Sequence, residues 1–313
     1  MFKRKLSILI WCVLASIAVR AQYDVSFSHY FDMEPSFNPA AVGKDAKLNV
    51  VGAYALDFAG FEHNPQTMYL AADMPFYGMK TYHGVGAQLM SDKIGLFNHQ
   101  RLSAQYALKH KLAGGVISYG VQVGLLSENL DGSKADFPEQ NTDPAFSSSE
   151  VTGTGIDVAA GLYYTHKRWY VGVSAQHLTA PLVKLGELNE LQIDRTYYLT
   201  GGYNIKLRNQ FLTIHPSFLV RTDMKAYRGD ITSRLVYRHE NKMLYAGASY
   251  SPGNSVTALI GGSFHGIVVG YSYEVYTSAI NIGNGSHELF VSYQTDINLT
   301  KRGKNRHQSP RIL

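Results

Sequence analysis

Between Lys47 and Phe58 the chain alternates with a period of two. Leu48, Val50, Gly52, Tyr54, Leu56 and Phe58 share one parity, while Asn49, Val51, Ala53, Ala55 and Asp57 share the other. That spacing predicts a β-strand with one apolar, aromatic-bearing face and one small or polar face. The Gly, Asn and Pro of Gly60 to Pro65 interrupt it, and a second strand is predicted from Thr67 to Pro75, so the stretch reads as a hairpin. The same unit recurs to the end of the chain. Strands are predicted at 48–58, 67–75, 82–92, 98–110, 115–126, 154–165, 169–178, 196–206, 211–221, 230–239, 243–251, 255–264, 267–275 and 287–296. Each is close to the ~9–11 residues that a tilted membrane strand needs.

The two faces stay unlike. Ile117, Tyr119, Val121, Val123 and Leu125 oppose Ser118, Gly120, Gln122 and Gly124; Ile267, Val269, Tyr271, Tyr273 and Val275 oppose Gly270, Ser272 and Glu274. In a membrane barrel the first sets face lipid and the second the lumen. The connections alternate in length as well. Those after odd strands include the long 127–153, 179–195 and 276–286. Those after even strands are short, as at Lys111 to Gly114, His166 to Arg168 and His265–Gly266. Long outer loops with short periplasmic turns are a barrel signature. A soluble β-sandwich shares the alternation but predicts no such asymmetry. The expected fold is therefore all-β: a transmembrane antiparallel β-barrel of about 14 strands, spanning 47–300.

Composition agrees. With 22 Tyr, 14 Phe and 29 Gly against 17% charged residues, the chain is rich in what barrel walls use. The formal charge of +5 is no nucleic-acid signal, because the basic residues gather at the ends. Lys3, Arg4, Lys5 and Arg20 lie in 1–21, and Lys301, Arg302, Lys304, Arg306 and Arg311 lie in 301–313, with no acid in either segment. The body between them is acidic, so nucleic acid is not expected as a partner.

Residues 1–21 read as a secretory signal peptide: a basic start, an apolar stretch from Leu6 to Val19 too short to span a bilayer, and small residues at Val19 and Ala21. The alternative is an uncleaved anchor. Cys12, the only cysteine, lies inside this segment, so cleavage leaves no thiol for a disulfide or a metal. Residues 22–46 read as an ordered N-terminal periplasmic or plug-like segment, since its aromatics (Phe27, Tyr30, Phe31, Phe37) are unlike a disordered tail. Residues 301–313 read as a basic periplasmic C-terminal tail.

No cofactor, metal or catalytic signature stands out. There is no His-Glu-x-x-His, no phosphate-cradling Gly-x-x-x-x-Gly-Lys, and Gly270–Glu274 misses the Gly-x-Ser-x-Gly elbow at its last position. Loop 127–153 carries Glu128, Asp131, Asp136, Glu139, Asp143 and Glu150, but without EF-hand spacing. Ser286, His287 and Glu288 are consecutive, so on a strand Ser286 and Glu288 share a face and His287 points away, which makes a triad from these three unworkable. Inward-parity Arg221, Arg234 and Arg238 are expected to fill the lumen as internal ion pairs or, alternatively, to line a polar pore. The chain is not expected to be an enzyme.

Several motifs resemble the PorP/SprF family of outer-membrane proteins of the type IX secretion system. Gln22, Phe27-Ser28-His29-Tyr30 and Asn38-Pro39-Ala40-Ala41-Val42-Gly43 are similar to the family's opening. Gly60-Phe61, Pro65-Gln66-Thr67 and Asp73-Met74-Pro75 continue it in the first hairpin. Gly270-Tyr271-Ser272-Tyr273 and Gly285-Ser286-His287-Glu288 close it. One departure is Asp57-Phe58-Ala59, where the family often carries a Trp before Gly-Phe. The resemblance implies an outer-membrane location after signal-peptide cleavage and a role in a Bacteroidota secretion and gliding-motility apparatus. It implies contact with outer-membrane lipid, a PorK/PorN-like periplasmic ring, a peptidoglycan-binding PorE-like protein and cargo bearing a C-terminal domain, such as adhesins or proteases. The expected role is anchor or adaptor for the ring. Alternatives are a diffusion or hydrophobic-substrate channel and a lipid-modifying barrel enzyme. Asn38, Pro39, Gly43, Gly60, Phe61, Pro65, Asp73, Pro75, Ser286, His287 and Glu288 are the signature positions expected to reach a partner.

Overall fold

A computed structural model describes residues 24–132, 150–186, 189–240, 242–277 and 284–297. The strands are β1 (Lys47–Leu56), β2 (Gln66–Gly78), β3 (Thr81–Ile94), β4 (Phe97–Leu112), β5 (Gly115–Asp131), β6 (Glu150–Thr165), β7 (Trp169–Gln176), β8 (Leu182–Leu185), β9 (Asn189–Gln192), β10 (Thr196–Tyr203), β11 (Ile205–Lys206), β12 (Leu212–Thr222), β13 (Tyr227–His239), β14 (Lys242–Ser251), β15 (Ser255–Phe264), β16 (Ile267–Tyr276) and β17 (Ser286–Asp296). All pairings are antiparallel. β1 meets β17 from Lys47↔Asp296 to Leu56↔His287, and β10 meets β12 from Tyr197↔Thr222 to Gly202↔Ser217. The sheet therefore closes on itself as a 14-stranded barrel, with β11 continuing β10 and β8–β9 forming a separate two-stranded hairpin.

The alternation places the faces as the sequence predicts. Met68, Leu70, Val123, Leu125, Ile156, Ile231, Leu244 and Ile260 all point outward and are exposed. On a soluble protein a band of that size would be an adhesive liability; on a barrel it is the lipid face. Exposed aromatics sit at both rims. Tyr77, Tyr82, Trp169 and Tyr237 mark the end that carries the short turns, and Tyr54, Tyr227 and Tyr250 mark the loop end. Both Lys47, where the wall begins, and Asp296, where it finishes, lie at the turn end.

Three details differ from the sequence reading. First, β5 and β6 run on into the stretch predicted as loop, ending at Asp131 and starting at Glu150, because their ladder continues to Asp131↔Glu150. Of that loop's acids, Asp136, Glu139 and Asp143 lie outside the described residues. Second, the predicted loop 179–195 contains the β8–β9 hairpin, whose Val183 and Leu185 pack on Leu126, Leu130 and Ile193. Short alternating segments inside a long loop carry little signal of their own. Third, the strand predicted at 196–206 is broken at Asn204. In the gap between the two ladders Tyr203 falls opposite Pro216, which has no N–H to give.

Residues 24–46 occupy the lumen. Asp24 lies near the loop end, where its side chain meets His177 Nε2 at 2.9 Å and accepts from Tyr198 Oη at 2.7 Å. The chain then descends to Ala46 at the turn end, whose carbonyl accepts from Ile297 N. It is folded into two 3-10 turns, Glu34–Ser36 and Pro39–Ala41, each begun by a proline near its start. Phe27, Tyr30, Phe31, Met33 and Phe37 are buried. They form apolar clusters with inward residues of distant strands: Phe27 and Met33 with Val51, Tyr69, Val268 and Phe290, and Tyr30, Phe31 and Phe37 with Tyr198, Leu219 and Leu259. Burying an aromatic or Met side chain contributes about 1.5–3 kcal/mol, so five of them give the segment a reason to stay inside.

Candidate functional site

The site is the contact between this luminal segment and the barrel wall. A non-repetitive backbone buried in a barrel needs partners for every N–H and C=O, and inward side chains of the wall supply them. Gln105 Nε2 donates to Pro35 O at 2.7 Å. Ser174 Oγ and Gln176 Nε2 both donate to Phe37 O at 2.7 Å. Arg221 donates to Asp24 O at 2.9 Å, and Lys109 Nζ donates to Gly43 O. Behind these, Gln88, Gln105 and Gln176 join through Gln122 in a chain of side-chain amides, which holds the donors in place.

Two carboxylates act in opposite directions across the contact. Glu288, on β17, accepts from Ser28 N at 2.6 Å, His29 N at 3.0 Å and His29 Nδ1 at 2.7 Å. Glu34, on the segment, accepts from Tyr163 Oη at 2.9 Å and from Lys44 Nζ at 2.5 Å. Both are buried, and bonds to an ionised acceptor are about twice as strong as neutral ones. Asn38 is the third anchor. Its Oδ1 accepts from Ala40 N at 2.9 Å, capping the second turn, and its Nδ2 donates to Leu162 O at 3.1 Å.

Wall glycines let the backbones touch. A Cβ added at Gly120 would lie 2.1 Å from Ala40 N, one at Gly84 2.1 Å from Val42 O, and one at Gly161 2.1 Å from Asn38 Oδ1. Gly43 makes the reverse approach. It has φ +59, a Cβ on it would fall 2.8 Å from the Met74–Pro75 backbone, and its N–H donates to Asp73 Oδ2 at 2.7 Å.

The signature positions thus divide by place. Asn38, Pro39, Gly43, Asp73, Pro75 and Glu288 are buried at the segment–wall contact. Gly60, Phe61 and Pro65 belong to the loop after β1, with Phe61 and Gly60 exposed. That loop is tied to the next seam by Ala59 N donating to Gly285 O at 2.8 Å and by Phe58 N donating to Ser286 Oγ at 3.1 Å. Beneath it, burial and the nearby Glu274 carboxylate push the Asp57 carboxyl up to about 7. Ser286 and Glu288 face inward, while His287 faces outward beside Tyr271 Oη at 2.7 Å, so the three form no triad. Among the described residues no group of three His, Cys, Asp or Glu side chains is placed to hold a metal ion. Of the inward arginines, Arg221 and Arg234 bind the segment, Arg234 standing 3.8 Å from Asp32 and stacked 3.3 Å over Phe31. Arg238 does not. The glutamine chain and the gripping glycines escaped sequence reasoning, although inward Gln at matched strand positions was the available signal.

A closed barrel with a lipid-facing apolar band and a lumen filled by its own N-terminal segment is an outer-membrane protein. The chain matches the family model for the type IX secretion system membrane protein PorP/SprF over residues 19–293. It belongs to that family. A comparison with the curated proteins finds no match. Among solved structures, the monoaromatic hydrocarbon channel CymD is similar at 13% identity, with 90% of this chain and 96% of that chain covered and a TM-score of 0.51. A FadL homologue of Pseudomonas aeruginosa is 14% identical over 83% of this chain and 93% of its own, with a TM-score of 0.46. BamA of Haemophilus ducreyi lacking POTRA domains 1–3 is 10% identical over 80% and 70%, with a TM-score of 0.43. At such identities the likeness to CymD speaks for the barrel fold alone.

Proposed function

We propose that this chain is a non-conducting, plugged barrel that serves the type IX system as an anchor or adaptor, with its turn end in the periplasm. The observation that carries this reading is the luminal segment. Its backbone is bonded to the wall from Asp24 to Gly43, and its apolar side chains fill the space a substrate would cross. Even 16–18-stranded porins hold only an aqueous channel, so 14 strands with an occupied lumen leave folded cargo no path. Short turns and both ends of the wall at one rim fit a periplasmic face that meets a PorK/PorN-like ring and a PorE-like peptidoglycan-binding protein. Export or surface attachment of C-terminal-domain cargo then depends on the barrel without passing through it. Such a role needs no active site.

The test is a clean deletion followed by location of a C-terminal-domain cargo. Cargo trapped in the periplasm, with other outer-membrane proteins normal, is the expected result. Cargo that still reaches the surface refutes the secretion role. Planar-bilayer recording of the purified barrel separates adaptor from channel, since a steady open conductance in the unmodified protein would overturn the plugged reading.

A further inference from the structure

The exposed charges of the wall are unevenly matched. At the loop end Lys225 pairs with Asp194, and Arg228 pairs with Asp230 and Glu274. At the turn end Lys111, Lys167, Arg168, Lys206 and Arg208 are all exposed, and among the described residues none of them has a carboxylate partner. The strands around them offer none, because 97–127, 158–176 and 196–222 contain no Asp or Glu. Inside the barrel Glu34 is already matched by Lys44. The five cations come from three neighbouring connections: β4 to β5, β6 to β7, and β10 through β11 to β12. These are tied side by side. Tyr164 Oη donates between Leu112 O at 3.1 Å and Ala113 O at 3.2 Å, and Asn204 N donates to Arg168 O at 2.7 Å.

On the membrane side of this row the wall is apolar. Leu162, Trp169, Val171, Tyr203 and Ile205 are exposed there, and Trp169 stands opposite Tyr203 in the ladder. Exposed aromatics at a barrel rim mark the depth of the lipid headgroups. The cations sit at that depth, since Lys167 and Arg168 run directly into Trp169, and Lys206 follows Tyr203 by three residues. We infer that this sector of the turn rim is a headgroup site for anionic phospholipid. The acyl chains lie on the apolar wall, and the row of cations takes the negative headgroup. Lys and Arg at a membrane surface are drawn to anionic headgroups, and the attraction acts within a Debye length. A lipid is favoured over an acidic peptide because it has an apolar part and an anionic part, and so uses both surfaces; an acidic peptide uses only the cations. That the lipid belongs to the periplasmic leaflet rests on the orientation proposed above; the headgroup preference does not.

Trp11 and Trp169 are the two tryptophans of the chain, so Trp11→Phe leaves Trp169 as a reporter inside the site. The full chain with that change is reconstituted in dioleoylphosphatidylcholine vesicles containing either phosphatidylglycerol or phosphatidylcholine with brominated acyl chains. Quenching of Trp169 fluorescence then gives the relative affinity of the adjoining wall for the two headgroups. Phosphatidylglycerol is expected to be favoured at least about fivefold, the effect of one cation beside an anionic surface, and added salt should shrink the preference. Lys111→Gln, Lys167→Gln and Arg168→Gln together, all in exposed turns, are expected to bring the two lipids level, while Lys225→Gln at the loop end leaves the preference intact. Equal quenching by the two lipids, or a preference that survives the triple change, overturns the inference. If the lipids quench equally and an oligoglutamate peptide binds through the same three residues, the row is a protein-docking surface and the lipid assignment falls. Equal quenching in a chain required for export removes this inference alone. A phosphatidylglycerol preference in a chain dispensable for export removes the functional reading and leaves the site.

Discussion

Glu288 holds the start of the luminal segment through three bonds at once. Its carboxylate is 4% exposed and accepts three bonds from Ser28 and His29. Replacing it by Ala deletes all three and leaves two backbone N–H groups and an imidazole N–H without an acceptor. A hydrogen bond to a charged group contributes about 1.5–3 kcal/mol, and a stranded buried donor costs about 1–3 kcal/mol. Removing one side of a buried charged contact typically costs ~3–5 kcal/mol in all. Taking about 3 kcal/mol as the local loss, the opening equilibrium of residues 24–33 shifts by about two powers of ten, at ~1.4 kcal/mol per factor of ten. Amide hydrogen exchange at Ser28 and His29 reads this directly. Both amides should exchange about a hundredfold faster in Glu288→Ala than in wild type, while amides of β5 and β6 keep their rates because the wall is untouched. Glu288→Gln retains a carbonyl acceptor and should fall between the two. Unchanged exchange at Ser28 and His29 in the Ala variant would show that the apolar clusters alone hold the segment, and would refute the role given to this carboxylate.

Three further changes probe other parts of the structure. Gly120→Val sets side-chain carbons against Ala40 N, where even a Cβ would be 2.1 Å away. Overpacking costs about 1–3 kcal/mol or more, so the variant should lower the thermal midpoint and admit measurable bilayer conductance; normal stability with a silent barrel would contradict the direct backbone contact. Leu185→Ala removes a buried member of the β8–β9 cluster and should cost about 2–5 kcal/mol locally, seen as faster limited proteolysis between 177 and 195. Asp57 gives a pH dependence whose sign follows from its raised pKa. The unfolded chain loses this proton near pH 4 and the folded one near 7, so the folded state binds it more tightly, and stability falls as pH rises from about 4 to 7 and then levels. The thermal midpoint of Asp57→Asn should therefore match wild type at pH 4 and exceed it at pH 8, and a difference independent of pH would rule out a raised carboxyl.

The barrel wall is written in the local order of residues. Period-two alternation assigns each strand residue to lipid or lumen from its immediate neighbours, and the loop rhythm sets the strand count, so the 14-stranded barrel is legible from residue types alone. The family motifs were legible too, but not their work. Sequence marks Asn38, Gly43, Asp73 and Glu288 as signature positions, and the fold shows contacts it could not name: Gly43 to Asp73, Asn38 to Leu162, and Glu288 to Ser28 and His29. Where residues 24–46 go is set by contacts between distant parts of the chain. Their fold has no period to read, being two proline-started turns joined by irregular backbone. Their partners are far away in the chain, with Ser28 and Glu288 260 residues apart. The cluster of Phe31, Arg234 and Tyr245 shares that origin, since these three meet only once the barrel has closed around the segment. Local sequence sets which way a strand side chain points. What it finds there depends on closure, which brings together strands that sequence order keeps apart.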